Sequence, residues 1–131
     1  MATTAVSDKT FDDTIRSGGI VLVDFWAAWC GPCRMFGPVF EAASQRHPDI
    51  VFGKVDTEAE QALAARFSIM SIPTLMAFRD EVLLFAQPGA LSEAALEDLI
   101  SQVEALDMDE VRERIAEATS SPGGASVAPA H

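Results

Sequence analysis

Residues 20–33, IVLVDFWAAWCGPC, join an apolar run to two cysteines three positions apart. The first seven residues are apolar on both faces of an extended chain, which predicts a strand buried in a sheet that is covered on both sides. After Cys33 the apolar residues recur at helical spacing, which predicts a helix that begins at the cysteine motif. The stretch therefore places two thiols where a buried strand turns into a helix.

The two cysteines are placed for reversible pairing. Cysteines at i and i+3 in a first helical turn have Cα atoms within the window of roughly 4.4–6.8 Å that a disulfide needs. Cys30 meets the positive end of the helix, so we expect it to be the exposed, reactive thiolate. Gly31 leaves the sulfur accessible and Pro32 has the φ angle of a first helical turn. Cys33 faces back into the fold, and we expect it to resolve the mixed disulfide.

Two alternatives to redox chemistry are a zinc half-site and a structural disulfide. Zinc in a structural site takes four ligands, and beyond the cysteines the chain offers only His47 and His131. A disulfide that closes so short a loop removes little entropy from the unfolded chain. Both arguments favour redox chemistry without a metal.

The composition predicts a cytoplasmic protein. A chain of 131 residues fits one domain, and two cysteines are too few for a secreted disulfide scaffold. The first ten residues lack the basic start and apolar run of a signal peptide. Residues 18–29, the longest apolar stretch, are too few to span a bilayer, so we expect no membrane association.

The charge distribution bears on possible partners. The net charge is −11, from 20 acidic and 9 basic residues, which argues against binding to nucleic acid or to anionic membranes. Residues 93–117 hold nine of the acidic residues and two of the basic ones. This pattern favours a solvated helical face, and a docking surface for a basic partner is the alternative.

Helices and strands alternate along the chain in the order α, β, α, β, α, β, β, α, which predicts one α/β sandwich over residues 1–106. A further acidic helix is predicted over residues 107–118, with Asp107 as its cap. Residues 119–131 are mostly Ser, Gly, Pro and Ala, which predicts a disordered tail. The predicted elements are a helix through Phe11 and Ile15, strands 20–26, 51–55, 74–78 and 82–85, and helices from the cysteine motif to residue 46, over 58–67 and after Ser92.

Asp24 is a carboxylic acid in the middle of the apolar strand. Burial disfavours its charged form and is expected to raise its pKa. Since the strand leads into the motif, Asp24 is a candidate proton acceptor for Cys33, whose thiol must lose its proton before it attacks a disulfide. Alternatively, a backbone N–H pairs the carboxylate and it has no further role. Lys54 on the next strand either tunes Asp24 or extends to solvent.

Five motifs in order give the chain a resemblance to the thioredoxin family over roughly residues 6–106. The family implies a three-layer α/β/α sandwich with a central mixed sheet of four to five strands. One departure is Asp80-Glu81 in the predicted hairpin, where the family commonly carries a glycine. The motifs are VDFWAAWCGPC at 23–33, Pro38, KVDTE at 54–58, SIPT at 71–74 and PGAL at 88–91.

The resemblance implies that Cys30 is the nucleophile, Cys33 the resolving thiol, and Asp24 the buried proton acceptor with Lys54 beside it. It also implies a cis peptide at Pro73, which spacing alone does not predict. The substrate groove that it implies is formed by Trp29, Ile72, Pro73, Gly89 and Ala90.

The resemblance implies a protein disulfide reductase with no prosthetic cofactor, whose electrons come from NADPH through thioredoxin reductase and pass to protein disulfides. The Gly31-Pro32 dipeptide resembles the reducing members of the family. A disulfide oxidase or isomerase is one alternative. Another is a non-catalytic binding module that uses the acidic C-terminal helix. We expect a monomer.

Overall fold

The computed structural model describes residues 2–17 and 19–120, with side chains up to residue 118. Within these residues the chain forms strands and helices in an alternating order that places one sheet at the centre. The strands are β1 (Thr3–Ala5), β2 (Ile20–Trp26), β3 (Val51–Asp56), β4 (Thr74–Arg79) and β5 (Val82–Pro88). The helices are α1 (Phe11–Ser17), α2 (Gly31–Arg46), α3 (Gln61–Arg66), α4 (Glu93–Ala105) and α5 (Met108–Ser120).

The sheet is mixed and has the strand order β1-β3-β2-β4-β5. β2 lies at its centre, parallel to β3 and antiparallel to β4. β1 is parallel to β3, and β4 and β5 form an antiparallel hairpin. The five strands confirm the predicted mixed sheet, and the buried position of β2 matches its continuous apolar sequence.

Helices cover both faces of the sheet. On one face Leu22 of β2 packs with Phe36 and Phe40 of α2 and with Leu96 and Ile100 of α4. On the other face the neighbouring β2 residues pack with side chains of α1 and α3. The predicted three-layer α/β/α sandwich is therefore confirmed, and α2 lies on the same face of β2 as Leu22. The second cluster includes Val21, Val23, Phe25, Phe11 and Leu63.

β1 was not predicted from the sequence. Its three residues, Thr3–Ala5, are exposed or half-buried and show no alternation of apolar and polar side chains. They pair with Phe52, Gly53 and Lys54 of β3, so a backbone ladder rather than a side-chain pattern defines this edge strand.

The β4–β5 hairpin has a two-residue turn made of Asp80 and Glu81. Their φ angles are 52° and 70°, in the left-handed region that usually selects glycine or asparagine. The Asp80 N–H donates to the Gly19 carbonyl at 2.8 Å, which ties the turn to the start of β2. The chain thus keeps a tight turn without the family's glycine.

α5 packs against the domain. Met108 is buried, and Arg112 lies 3.5 Å from the Asp80 carboxylate of the hairpin turn. As predicted, Asp107 caps this helix, because its carboxylate accepts hydrogen bonds from the Asp109 and Glu110 N–H groups. The helix ends at Ser120, two residues beyond the predicted boundary, and the rest of the predicted tail lies outside the described residues.

Between residues 2 and 120, residue 18 excepted, no helix is both long and apolar enough to cross a bilayer.

Candidate active site

The two cysteines form a disulfide at the start of α2, with their Cα atoms 5.2 Å apart. Cys30 is the N-cap residue, and the Cys33 N–H points to its sulfur at 3.2 Å. Pro32 occupies the first turn, and a Cβ atom added at Gly31 would meet no other atom within 4 Å. The strand-to-helix placement predicted for the pair is confirmed, and the Cα separation lies inside the predicted window.

The exposure predicted for Cys30 is wrong for the disulfide form. Cys30 and Cys33 are equally buried, each with 4% of its surface exposed. The Cys30 sulfur lies 3.6 Å from the Ile72 carbonyl oxygen, and Trp26 and Ile72 pack against the pair. A sequence pattern could not show this cover because Ile72 lies 42 residues away along the chain.

Asp24 is buried within β2, with 1% of its surface exposed. Alternation along β2 places it on the same face as Leu22, the face that α2 covers. Neither carboxylate oxygen has a hydrogen-bond partner among the described residues, so the alternative of a backbone-paired carboxylate is wrong. Burial raises the pKa of Asp24 to about 7, and the positive charge of Lys54 partly opposes this rise.

Lys54 is the direct register partner of Asp24 on β3. Its ammonium lies 4.9 Å from the centre of the Trp26 ring, a favourable cation–π arrangement. Lys54 is half-buried and makes no hydrogen bond to Asp24, so its charge acts on the carboxylate through space. The strand register thus places Lys54 next to Asp24, as expected.

The residues predicted to form a groove lie on loops at one end of the sheet. Trp29 is 66% exposed, and its indole N–H donates to Glu58 at 3.2 Å. The Ile72–Pro73 bond is cis, as the family resemblance implies. The Gly89 N–H donates to the Pro73 carbonyl at 2.8 Å, which brings the loop after β5 beside the cis bond.

Gly89 and Ala90 are exposed in this loop, and the Gly89 φ angle of 108° is one that other residues rarely adopt. A groove of about 180 Å³ runs along the Trp29 side and is bordered by Ile72, Ser71 and Met70. The structure thus brings Trp29 and Ile72 to one groove beside the disulfide, and places Pro73, Gly89 and Ala90 on the adjoining loops.

Three contacts at the site were not predicted from the sequence. Glu58 accepts the Trp29 indole, Arg34 donates to the Ala28 carbonyl at 2.8 Å, and Met70 borders the groove. The first joins two loops and the second joins the first turn of α2 to the loop before it, and the sequence carries no signal for either. For the third, a methionine directly before the SIPT motif was a visible signal.

The comparisons with known proteins agree with this geometry. The thioredoxin family model matches residues 2–102. The chain belongs to the thioredoxin family. It is 56% identical over 122 residues to "Putative thioredoxin 2" of Streptomyces coelicolor, an alignment that covers 93% of this chain and 91% of the relative. It is 42% identical to a thioredoxin of Mycobacterium tuberculosis, over 78% of this chain and 90% of the relative.

The fold of this chain also matches solved structures of thioredoxins. A mutant thioredoxin of Halobacterium salinarum superposes with a TM-score of 0.73 at 34% sequence identity, covering 80% of this chain and 92% of the other. The family members are disulfide oxidoreductases, and the Cys30–Cys33 pair is the redox-active disulfide of this chain.

Thioredoxins use no prosthetic cofactor, and their general partners are disulfide substrates and a reductase. In the part of the chain that the structure describes, no group of three or more His, Cys, Asp or Glu side chains is arranged to hold a metal ion.

Proposed function

We propose that this thioredoxin works in the cytoplasm as a monomeric, general reductant of protein disulfides. The observation that carries the proposal is the position of the Cys30–Cys33 disulfide at the start of α2, beside the Ile72 carbonyl and next to the exposed Trp29. The Cys30 sulfur lies beside the Ile72 carbonyl, and Ile72 borders the groove at Trp29, so a target disulfide in that groove lies next to Cys30.

In the first step the Cys30 thiolate attacks one sulfur of the target disulfide. A Cys30–target disulfide forms, the target disulfide breaks, and the second target sulfur leaves as a thiolate. The N-terminal end of α2 stabilises the Cys30 thiolate, because the Cys33 N–H points to its sulfur and the helix dipole favours negative charge there.

In the second step Cys33 loses its proton and attacks the Cys30 sulfur. The Cys30–Cys33 disulfide forms, the bond to the target breaks, and the target leaves with two thiols after gaining two electrons. Asp24 is the proton acceptor in this proposal. With a pKa of about 7 and no hydrogen-bond partner among the described residues, its carboxylate is free to take the proton of a buried thiol. Lys54 limits the rise of the Asp24 pKa and so keeps a fraction of the carboxyl ionised at neutral pH.

Target docking uses the exposed loops around the disulfide. Trp29 offers a flat apolar surface, and its hydrogen bond to Glu58 fixes the ring. The backbone of Ile72 lies beside the Cys30 sulfur, where an extended target segment aligns its disulfide for attack. The exposed Gly89 and Ala90 border the same end of the sheet and leave room for a target chain.

The electron source in this proposal is NADPH, through thioredoxin reductase. Gly31-Pro32 between the cysteines is the dipeptide of the reducing members of the family. Residues 1–106 form the catalytic domain, and residues 107–118 are an acidic helical extension docked on it through Met108 and Arg112.

The test is insulin reduction with NADPH and thioredoxin reductase, comparing the native chain with Cys30→Ser and Cys33→Ser. The proposal predicts turnover by the native chain and loss of turnover in both variants. Turnover with dithiothreitol, but none with the reductase, would refute the proposed electron source while retaining the thiol chemistry. Absence of turnover with either reductant would refute the reductase function.

A further inference from the structure

Met70 stands out among the large apolar side chains that the structure describes. It is 92% exposed, compared with 75% for Met35 and 66% for Trp29. Exposed apolar side chains that lie together in a patch mark contact surfaces, and Met70 shares the border of one groove with the exposed Trp29. Met70 lies two residues before Ile72, whose carbonyl oxygen is 3.6 Å from the Cys30 sulfur.

Met70 borders two grooves rather than one. The first, of about 180 Å³, has Trp29 and Ile72 on its other walls. The second, of about 250 Å³, extends from Met70 to Gln87 and Pro88 at the end of β5. Met70 therefore borders both grooves, and a target segment in either groove lies beside this residue.

We propose that Met70 is an oxidation-sensitive site through which a peroxide weakens target docking, an inference that rests on the docking surface proposed above. The terminal oxygen of the peroxide is transferred to the methionine sulfur. The O–O bond breaks, an S–O bond forms, the sulfur loses two electrons, and hydrogen peroxide is reduced to water. The resulting sulfoxide replaces an apolar contact by a polar group that must be desolvated when a target binds.

The chain contains its own controls for this chemistry. Met76 and Met108 are buried, with 4% and 5% of their surfaces exposed, and so are protected from the peroxide. Met35 is exposed on α2 but borders neither groove beside Met70. Its oxidation is expected to leave docking unchanged. In the disulfide form the two cysteine sulfurs are already oxidised and are buried, so peroxide treatment of that form acts on the methionines.

The experiment treats the disulfide form of the full chain with hydrogen peroxide and maps each methionine by mass spectrometry. The KM and kcat for insulin reduction are then measured with dithiothreitol as electron source, so that docking of a reductase does not contribute. We expect oxidation at Met70 and Met35 but not at Met76 or Met108. The KM for insulin should rise about fivefold, the size expected for one lost apolar contact, with kcat unchanged.

Two variants separate Met70 from other effects of the peroxide. The KM of Met70→Leu should be the same before and after treatment, whereas Met35→Leu should show the same rise as the native chain. An unchanged KM after complete oxidation of Met70, or an equal rise in Met70→Leu, would overturn the inference and leave the reductase function intact. Failure of the untreated chain to reduce insulin would overturn both.

Discussion

Asp24 and Lys54 are register partners on the neighbouring central strands β2 and β3, yet no hydrogen bond joins the Asp24 carboxylate to any described residue. The carboxyl group is thus buried with a positive charge nearby but with no hydrogen bond to it. This arrangement keeps its pKa at about 7, where both protonation states are populated at neutral pH. A closer ion pair would favour the charged form and remove the capacity to accept a proton over the neutral range.

Asp24 is predicted to make the fold less stable as the pH rises. The pKa of Asp24 is about 7 in the folded chain and near 3.8 when the group is exposed. Between these values the folded chain holds a proton that the unfolded chain has released, so the free energy of unfolding falls by about 1.4 kcal/mol per pH unit. Asp24→Asn should therefore be more stable than the native chain at pH 8, by as much as about 4 kcal/mol, and similar to it at pH 4.

Urea unfolding of both chains at pH 4, 6 and 8 measures this effect. Asp13→Asn is the control, because Asp13 is exposed and pairs only at the surface with Arg16. This control is expected to follow the native chain at each pH. A stability difference between Asp24→Asn and the native chain that stays constant with pH would contradict the raised pKa.

Asp24 should also determine the pH dependence of the resolving step. Asp24→Asn is expected to slow insulin reduction about tenfold or more at pH 7, since positioned proton acceptors contribute at least that much. The native rate should rise through an inflection near pH 7, where the Asp24 carboxyl ionises, and the variant should lack this inflection. Stopped-flow measurement of target release from the mixed disulfide isolates the step. An unchanged inflection in Asp24→Asn would assign it to another group.

The sequence was sufficient to predict the centre of this protein. The apolar run before the motif predicted β2, and the spacing of Cys30 and Cys33 predicted their disulfide at the start of α2. The anomaly of Asp24 within that run predicted a buried acid, because its neighbours on both faces are apolar. Each of these features depends on residues close together in the chain, so short segments of the sequence are enough to predict it.

Features that depend on distant residues were not predictable. The cover over Cys30 comes from Ile72, and β1 is defined by pairing with β3 rather than by its own side chains. The cis bond before Pro73 followed from the family resemblance alone, since most X–Pro bonds are trans. For the cover over Cys30 and for β1, the deciding contact is made across the fold.

The hairpin turn offers a test of local backbone conformation. Glu81 has a φ angle of 70°, a left-handed conformation that costs a residue with a side chain about 1–2 kcal/mol. Glu81→Gly should raise the free energy of unfolding by about 1 kcal/mol, after allowance for the extra freedom of glycine in the unfolded chain. Glu81→Ala should bring no such gain, because alanine has the same restriction. Thermal unfolding of the two variants beside the native chain distinguishes backbone relief from loss of the carboxylate.

Arg79 connects the hairpin to the end of α4. Its guanidinium donates to the carbonyls of Val103 and Leu106 at 2.9 Å and of Glu104 at 3.2 Å. Arg79→Met keeps most of the side-chain length but leaves these carbonyls without their donor, so we expect a loss of about 2 kcal/mol in the free energy of unfolding. Arg16→Met, which removes an exposed ion pair with Asp13, is the matched control and should change stability little. Equal stabilities of the two variants would mean that water replaces Arg79 at the helix end.

In the proposed mechanism, Cys30 is the attacking thiol and Cys33 is the resolving thiol. The most direct test mixes reduced Cys33→Ser or Cys30→Ser with insulin, quenches the reaction with acid, and maps disulfide adducts by mass spectrometry. We expect a stable adduct through Cys30 in Cys33→Ser and little or none in Cys30→Ser, because the α2 N-terminus stabilises the Cys30 thiolate. An adduct that forms mainly through Cys33 in Cys30→Ser would contradict this mechanism.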